Sequence, residues 1–100
     1  MICKAEGVLY GLSNYNSEDS QQVQFTHKNI DGTYVSGTTN EEVVEMMLDR
    51  FNHFQKKRFS SENEVIIMMF KDIRRVLKKR LNNKIQLVKK SNEKYSVKDE

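Results

Sequence analysis

The sequence predicts an α+β fold in which an N-terminal small antiparallel β-sheet precedes a C-terminal two-helix hairpin. Three observations carry that expectation. Residues 1–38 hold short strand-compatible runs punctuated by Gly, Asn, Asp and Ser. From Thr39 onward, apolar residues recur at helical spacing behind two helix-capping signals. The chain contains no proline, so nothing breaks its long periodic segments. A length of 100 residues leaves room for one modest core, and the expected organisation is a single domain over 1–90. Within it, 1–38 form the sheet and 39–88 the hairpin, followed by a polar tail over 91–100.

Taken in order, "ICKAEGVLYGL" is rich in strand-compatible residues, with Gly7 and Gly11 marking a bulge or a close backbone approach. "SNYNSEDS" at 13–20 is a polar turn. "QVQFTHKN" alternates polar and apolar residues, as a half-buried strand does. "IDG" at 30–32 signals a hairpin whose return strand is "TYVSG". Thr39 and Glu42 form a capping box, and Val43, Val44, Met47, Leu48, Phe51 and Phe54 then recur at helical spacing. Glu41, Glu42 and Glu45 suit the positive start of that helix, and Lys56, Lys57 and Arg58 suit its negative end. Ser61 and Glu64 form a second capping box, opening a helix that reaches Leu81 or beyond.

Composition excludes several classes. No apolar run reaches the roughly 18 residues of a membrane helix, and the start lacks the pattern of a signal peptide. The single cysteine, Cys3, can form no internal disulfide and suits a reducing cytoplasm. The net charge of +3 conceals an asymmetry: residues 1–49 carry two lysines against eight acids, and residues 50–100 carry fifteen basic residues against six acids. Such polarity suits an anionic ligand at the C-terminal half, or subunits packing acidic part against basic part.

The basic residues concentrate in "SSENEVIIMMFKDIRRVLKKR", residues 60–80. At about 100° per residue, Lys71, Arg74, Arg75, Lys78 and Lys79 form one stripe, which reads first as a solvated outer face. Nucleic-acid binding is the alternative, but no interleaved aromatic residues offer base stacking there. On the apolar side, Asn63, Arg80 and Lys84 interrupt the face of Phe70, Ile73 and Leu77. A charge on such a face must be paired, reach water, or meet an anion, and guanidinium matches phosphate well. Asn63 and Arg80 stand about 25 Å apart along one helix, so a small ligand touches both only if an antiparallel partner helix brings a second copy alongside. Val65 to Phe70 are apolar all round the helix, which also points to self-association.

Enzyme chemistry finds no support in the sequence. His27 and His53 lie on different elements, no metal-ligand spacing joins them to Cys3, and no glycine-rich phosphate loop is present. The chain is therefore expected to be no enzyme and to need no metal or cofactor.

The stretches "SGTTNEEVVEMMLDRF" and "SSENEVIIMMFKDIRRVLKKR" resemble the two-helix hairpin of the first-described Thoeris anti-defence family of phage proteins. Gly37 to Val43, Asp49 and Arg50, Glu62 and Asn63, and Lys79 and Arg80 match that family's motifs in order and spacing, over roughly residues 36–85. A related anti-CBASS family shares the hairpin but replaces the sheet with a helix, so the sheet favours the Thoeris branch. The resemblance implies a non-enzymatic sponge, acting in the host bacterial cytoplasm during infection, that sequesters glycocyclic ADP-ribose without degrading it. It further implies dimers or hexamers with ligand sites at subunit interfaces, and in some members separate sites for cyclic di- or trinucleotides.

By position, the resemblance makes His53 a base-stacking residue, Asn63 a polar contact, Arg80 a phosphate-contacting arginine and Lys84 a second basic contact; Arg50 and Lys28 complete the ligand-binding set. Ser60 and Ser61 stand where the family has Cys-Arg, His53 replaces phenylalanine or tyrosine, and Lys84 replaces arginine. Lysine lacks the bidentate fork, and histidine stacks less well than phenylalanine. Alternatives to this expectation are a small basic DNA- or RNA-binding protein, a sponge for CBASS cyclic oligonucleotides, and an inhibitor that docks its hairpin on a host target.

Overall fold

The computed structural model describes the backbone of residues 1–99 and the side chains through Leu87. It has the expected α+β order: five short strands, then two helices. Two compact units make up the chain, Met1–Val43 and Val44–Glu100, where the sequence suggests one domain over 1–90. Their boundary lies inside the first helix and not at 38/39, because the approach to that helix is tied to the strands. The Thr38 N–H donates to the Gln24 carbonyl at 2.8 Å, and the Thr26 N–H donates to the Thr38 carbonyl at 2.9 Å.

In the first unit, β1 (Ile2–Ala5), β2 (Leu9–Ser13) and β3 (Ser20–Gln24) form an antiparallel sheet in the order β1-β2-β3. The β1–β2 register pairs Ile2 with Gly11 and Cys3 with Tyr10, then shifts between Cys3 and Ala5. That is the irregularity the early glycines signal, and Gly7 makes the turn itself at φ 71°. A separate hairpin pairs β4 (His27–Lys28) with β5 (Tyr34–Val35). The alternating run "QVQFTHKN" is thus divided between β3 and β4, with Phe25 forming a parallel bridge to Thr38 in between. At the hairpin tip, the Thr33 hydroxyl (2.6 Å) and the Thr33 N–H (2.9 Å) both donate to the Asp31 carboxylate. They hold its pKa below the ordinary value, the hydroxyl contributing most.

Gly37 is required where the chain leaves this unit. A Cβ there would sit 2.5 Å from the Phe25 carbonyl carbon, so only a residue without a side chain lets the two backbones approach.

The second unit is built on α1 (Asn40–Lys57) and α2 (Ser61–Asp99). The Thr39 hydroxyl accepts the Glu42 N–H at 3.2 Å, which is the Thr39 half of the expected capping box. The second capping signal acts one residue earlier than expected. Ser60 is the cap: its hydroxyl accepts the Asn63 N–H at 3.3 Å and donates to the Glu62 carboxylate at 3.0 Å. Glu64 is drawn away because its carboxylate accepts from the Gln55 carboxamide at 2.9 Å.

Contacts between the helices pair Glu45 with Arg74, Phe51 with Phe70, and Gln55 with Glu64, so the two run antiparallel. Val44, Leu48 and Ile67 are the buried apolar core, with Phe51, Phe70 and Leu77 half-buried against it. Helix α2 continues past position 88, where the sequence places the end of the hairpin, because the last glycine is Gly37 and no proline follows. The polar tail expected over 91–100 lies outside the residues whose side chains are described.

Candidate functional site

Of the six residues expected to bind a ligand, the structure brings Arg50 and His53 together on α1, by way of Phe54. The Arg50 guanidinium lies 4.8 Å from the Phe54 ring centroid, and the His53 ring meets Phe54 edge-on at 5.5 Å. A cation held over one aromatic face beside a second ring is a surface that suits a planar, anionic group. Helical spacing accounts for it, since residues 50 and 54 stand one turn apart. Phe54, which remains 39% exposed, is the member of this cluster that the ligand-binding set lacks. Its signal in the sequence is its place as the last apolar residue of the helical repeat.

Asn63 is half-buried at the start of α2, where the Ser60 hydroxyl accepts its N–H. Beside it, the Glu62 carboxyl is held below its ordinary pKa by its own backbone N–H and then by the Ser60 hydroxyl. The start of α2 is therefore a fixed, ionised corner.

Arg80 and Lys84 lie further along α2 and both are exposed. The sequence places them on the side of Phe70, Ile73 and Leu77. The face of α2 that meets α1 runs through Asn63, Ile67, Phe70, Arg74 and Leu77, all at least half-buried, and Lys84 continues that line seven residues beyond Leu77. Arg80 instead continues the neighbouring line of Met69, Ile73 and Val76, which are 61%, 45% and 59% exposed. The ion pairs among the described residues are Arg74–Glu45 and Arg75–Asp72, and neither involves Arg80 or Lys84. Asn63 and Arg80 remain seventeen residues apart on one continuous helix, about 25 Å. One chain does not bring them to a common small ligand.

The basic stripe is also not the uniform solvated face that its periodicity suggests. Arg74 turns towards α1, where its guanidinium lies 3.4 Å from the Glu45 carboxylate, and Arg75 lies 3.2 Å from Asp72. Lys71, Lys78 and Lys79 remain exposed.

In the first unit, Lys28 lies on β4 with its ammonium 6.0 Å from the Tyr34 ring centroid across the hairpin. Next to it, His27 has a buried Nδ1 without a hydrogen-bond partner. Among the described residues, no group of three His, Cys, Asp or Glu side chains is placed to hold a metal ion. No helix among them is long and apolar enough to cross a membrane. Comparison of the chain with family models, with characterised proteins and with solved structures returns no match.

Proposed function

We propose that the chain is a non-enzymatic sponge that binds and sequesters a cyclic ADP-ribose-type messenger, glycocyclic ADP-ribose, and so blocks Thoeris immunity. The observation that carries this function is the setting of Arg80. Its guanidinium continues an exposed apolar line and has no carboxylate partner among the described residues. A cation in that setting favours a ligand with both apolar and anionic parts, and a nucleotide with a pyrophosphate has both. Arg50, His53 and Phe54 supply a second surface of cation and rings, matched to a nucleobase and its phosphates. Asn63 and Arg80 serve one ligand only when contributed by different subunits, so the working form is a homo-oligomer with sites at its interfaces.

Incubation with a panel of cyclic nucleotides tests the proposal, followed by removal of free ligand, heating and chromatography of what is released. The expected result is intact glycocyclic ADP-ribose recovered close to one equivalent per site. Recovery of a cleaved product would make the protein an enzyme, and recovery of a cyclic di- or trinucleotide alone would make it a CBASS sponge. Nanomolar binding to duplex DNA at physiological salt, with no nucleotide retained, would replace the proposal by a nucleic-acid role.

A further inference from the structure

The tip of the β4–β5 hairpin holds the only Asp-Gly pair in the sequence, Asp31–Gly32. Asp-Gly pairs are prone to rearrange, because glycine leaves the nitrogen that follows the aspartate unshielded by a side chain. The reaction needs no enzyme. The glycine nitrogen attacks the protonated aspartate carboxyl at Cγ, the new N–C bond closes a succinimide ring, and a water leaves with the amide proton. Water then adds to either ring carbonyl. Addition at Cγ restores aspartate. Addition at the main-chain carbonyl breaks its bond to nitrogen and leaves isoaspartate, of unchanged mass.

The hairpin opposes this chemistry at both reacting groups. The Gly32 N–H donates to the Asn29 carbonyl at 3.0 Å, and the Asn29 N–H donates to the Thr33 carbonyl at 2.7 Å, which closes the loop Ile30-Asp31-Gly32. Gly32, at φ 91°, takes the left-handed position that such a loop requires. The nucleophilic nitrogen is therefore engaged with Asn29. The carboxyl is held as firmly. Asp31 Oδ1 accepts the Thr33 hydroxyl at 2.6 Å and the Thr33 N–H at 2.9 Å, which carries it past Gly32 to the residue beyond. The Asn29 carboxamide donates to the same hydroxyl at 3.1 Å, leaving the hydroxyl hydrogen for Asp31. These contacts also favour the ionised carboxyl, which must take up a proton before water can leave. Burial plays no part, since residues 28–34 are all exposed.

We propose that Asp31–Gly32 is a backbone isomerisation site that Thr33 keeps closed, so that the rearrangement proceeds only when the hairpin tip opens. Isoaspartate routes the main chain through Cβ and Cγ of residue 31, and the extra atom breaks the register that pairs Lys28 with Tyr34. The Lys28 ammonium, 6.0 Å from the Tyr34 ring centroid, then loses its seat. The site depends on the hairpin alone. No nucleotide takes part, so the result stands apart from the messenger proposal.

Ageing of the full-length chain at neutral pH tests it, with peptide mapping and electron-transfer fragmentation to separate isoaspartate from aspartate at position 31. In guanidinium chloride, where the hairpin is absent, the bond should isomerise freely. The native chain should be about a hundredfold slower or more, each hydrogen bond to a charged group contributing a factor of about ten or above. Thr33→Val removes the hydroxyl and keeps the N–H, and should raise the native rate about tenfold. Thr33→Ser restores the hydroxyl and should stay close to wild type. Thr26→Val, which removes a hydroxyl bonded at 2.9 Å to the Val35 carbonyl and away from the tip, should also leave the rate near wild type. Equal rates in the native and unfolded chains, or a Thr33→Val rate no higher than wild type, would overturn the inference. So would a Thr33→Ser rate as high as that of Thr33→Val. An equal acceleration by Thr26→Val would overturn it too, since the hairpin as a whole, and not Thr33, would then hold the bond.

Discussion

Arg74 and Glu45 meet at 3.4 Å across the antiparallel helices, turning a residue of the basic stripe into a contact between α1 and α2. The side chains keep 38% and 51% of their exposure, so solvent screens the pair and its net contribution is small. A double-mutant cycle on Arg74→Ala and Glu45→Ala, followed by urea unfolding, should give a coupling of about 0.5 kcal/mol. A coupling above about 2 kcal/mol would mean that the pair behaves as a buried one.

Gln55 holds the three-residue connection between the helices. Its carboxamide NH2 donates to the Ser60 carbonyl and to Glu64, and its carbonyl accepts the Ser60 N–H, all at 2.9 Å. Gln55→Ala should lower the unfolding free energy by about 1–3 kcal/mol, because the partly buried Ser60 N–H loses its partner and the Ser60 carbonyl keeps only the Glu64 N–H. Gln55→Glu should keep the bond from the Ser60 N–H but lose both donations, and fall between wild type and alanine.

Ser60 caps α2 and also positions Glu62. Ser60→Ala should cost about 1 kcal/mol, the usual scale for a lost cap. It should also let the Glu62 pKa rise towards its ordinary value, a change readable by NMR titration of the side-chain carboxyl. The sign follows from the depressed folded-state pKa: the stabilisation is complete above the unfolded pKa and is lost as pH falls through the folded one. Ser60→Ala should therefore flatten the acid limb of the stability profile.

Gly37 has no room for a side chain, with a methyl group predicted 2.5 Å from the Phe25 carbonyl carbon and 2.6 Å from the Gln24 oxygen. Both neighbours are backbone, so neither can rotate away. Gly37→Ala should destabilise the first unit by roughly 2–4 kcal/mol and reduce hydrogen-exchange protection at Thr26 and Thr38, whose N–H groups bond across this approach. Unchanged protection would show that the segment relaxes freely.

Arg80 is the residue on which messenger binding should depend most. Arg80→Ala should weaken binding by about 2–3 kcal/mol, roughly 30- to 150-fold, and Arg80→Lys should recover only part of that loss. Lys78→Ala is the suitable control, because Lys78 is exposed on the basic stripe whereas Arg74 is engaged with Glu45. Equal losses by calorimetry from Lys78 and Arg80 would point to diffuse electrostatic attraction and not to a defined contact.

Much of this architecture is local and was legible in the residues themselves. The strand-and-turn alternation of 1–38, the Thr39 cap and the absence of any breaker after Gly37 each act over a few residues, so they specify the α+β order without reference to distant partners. The misplacement of the second cap shows the limit. Ser60 and Ser61 are equally good caps by type, and Gln55, five residues upstream, decides between them by binding Ser60 on both backbone groups.

The orientation of α2 was beyond the sequence for a specific reason. Val65 to Phe70 are apolar all round the helix, so periodicity cannot tell which side meets α1. Only the tertiary structure decided it: the short connection and the Gln55 clamp set the register, which buries Ile67 at 3% exposure and leaves Met69 at 61%. The same rotation turned Arg74 inward to Glu45 and left Arg80 at the end of an uncovered apolar seam. The sequence alone determined that these charges and apolar residues share one helix. Packing against α1 decided which of them remain free to meet a partner.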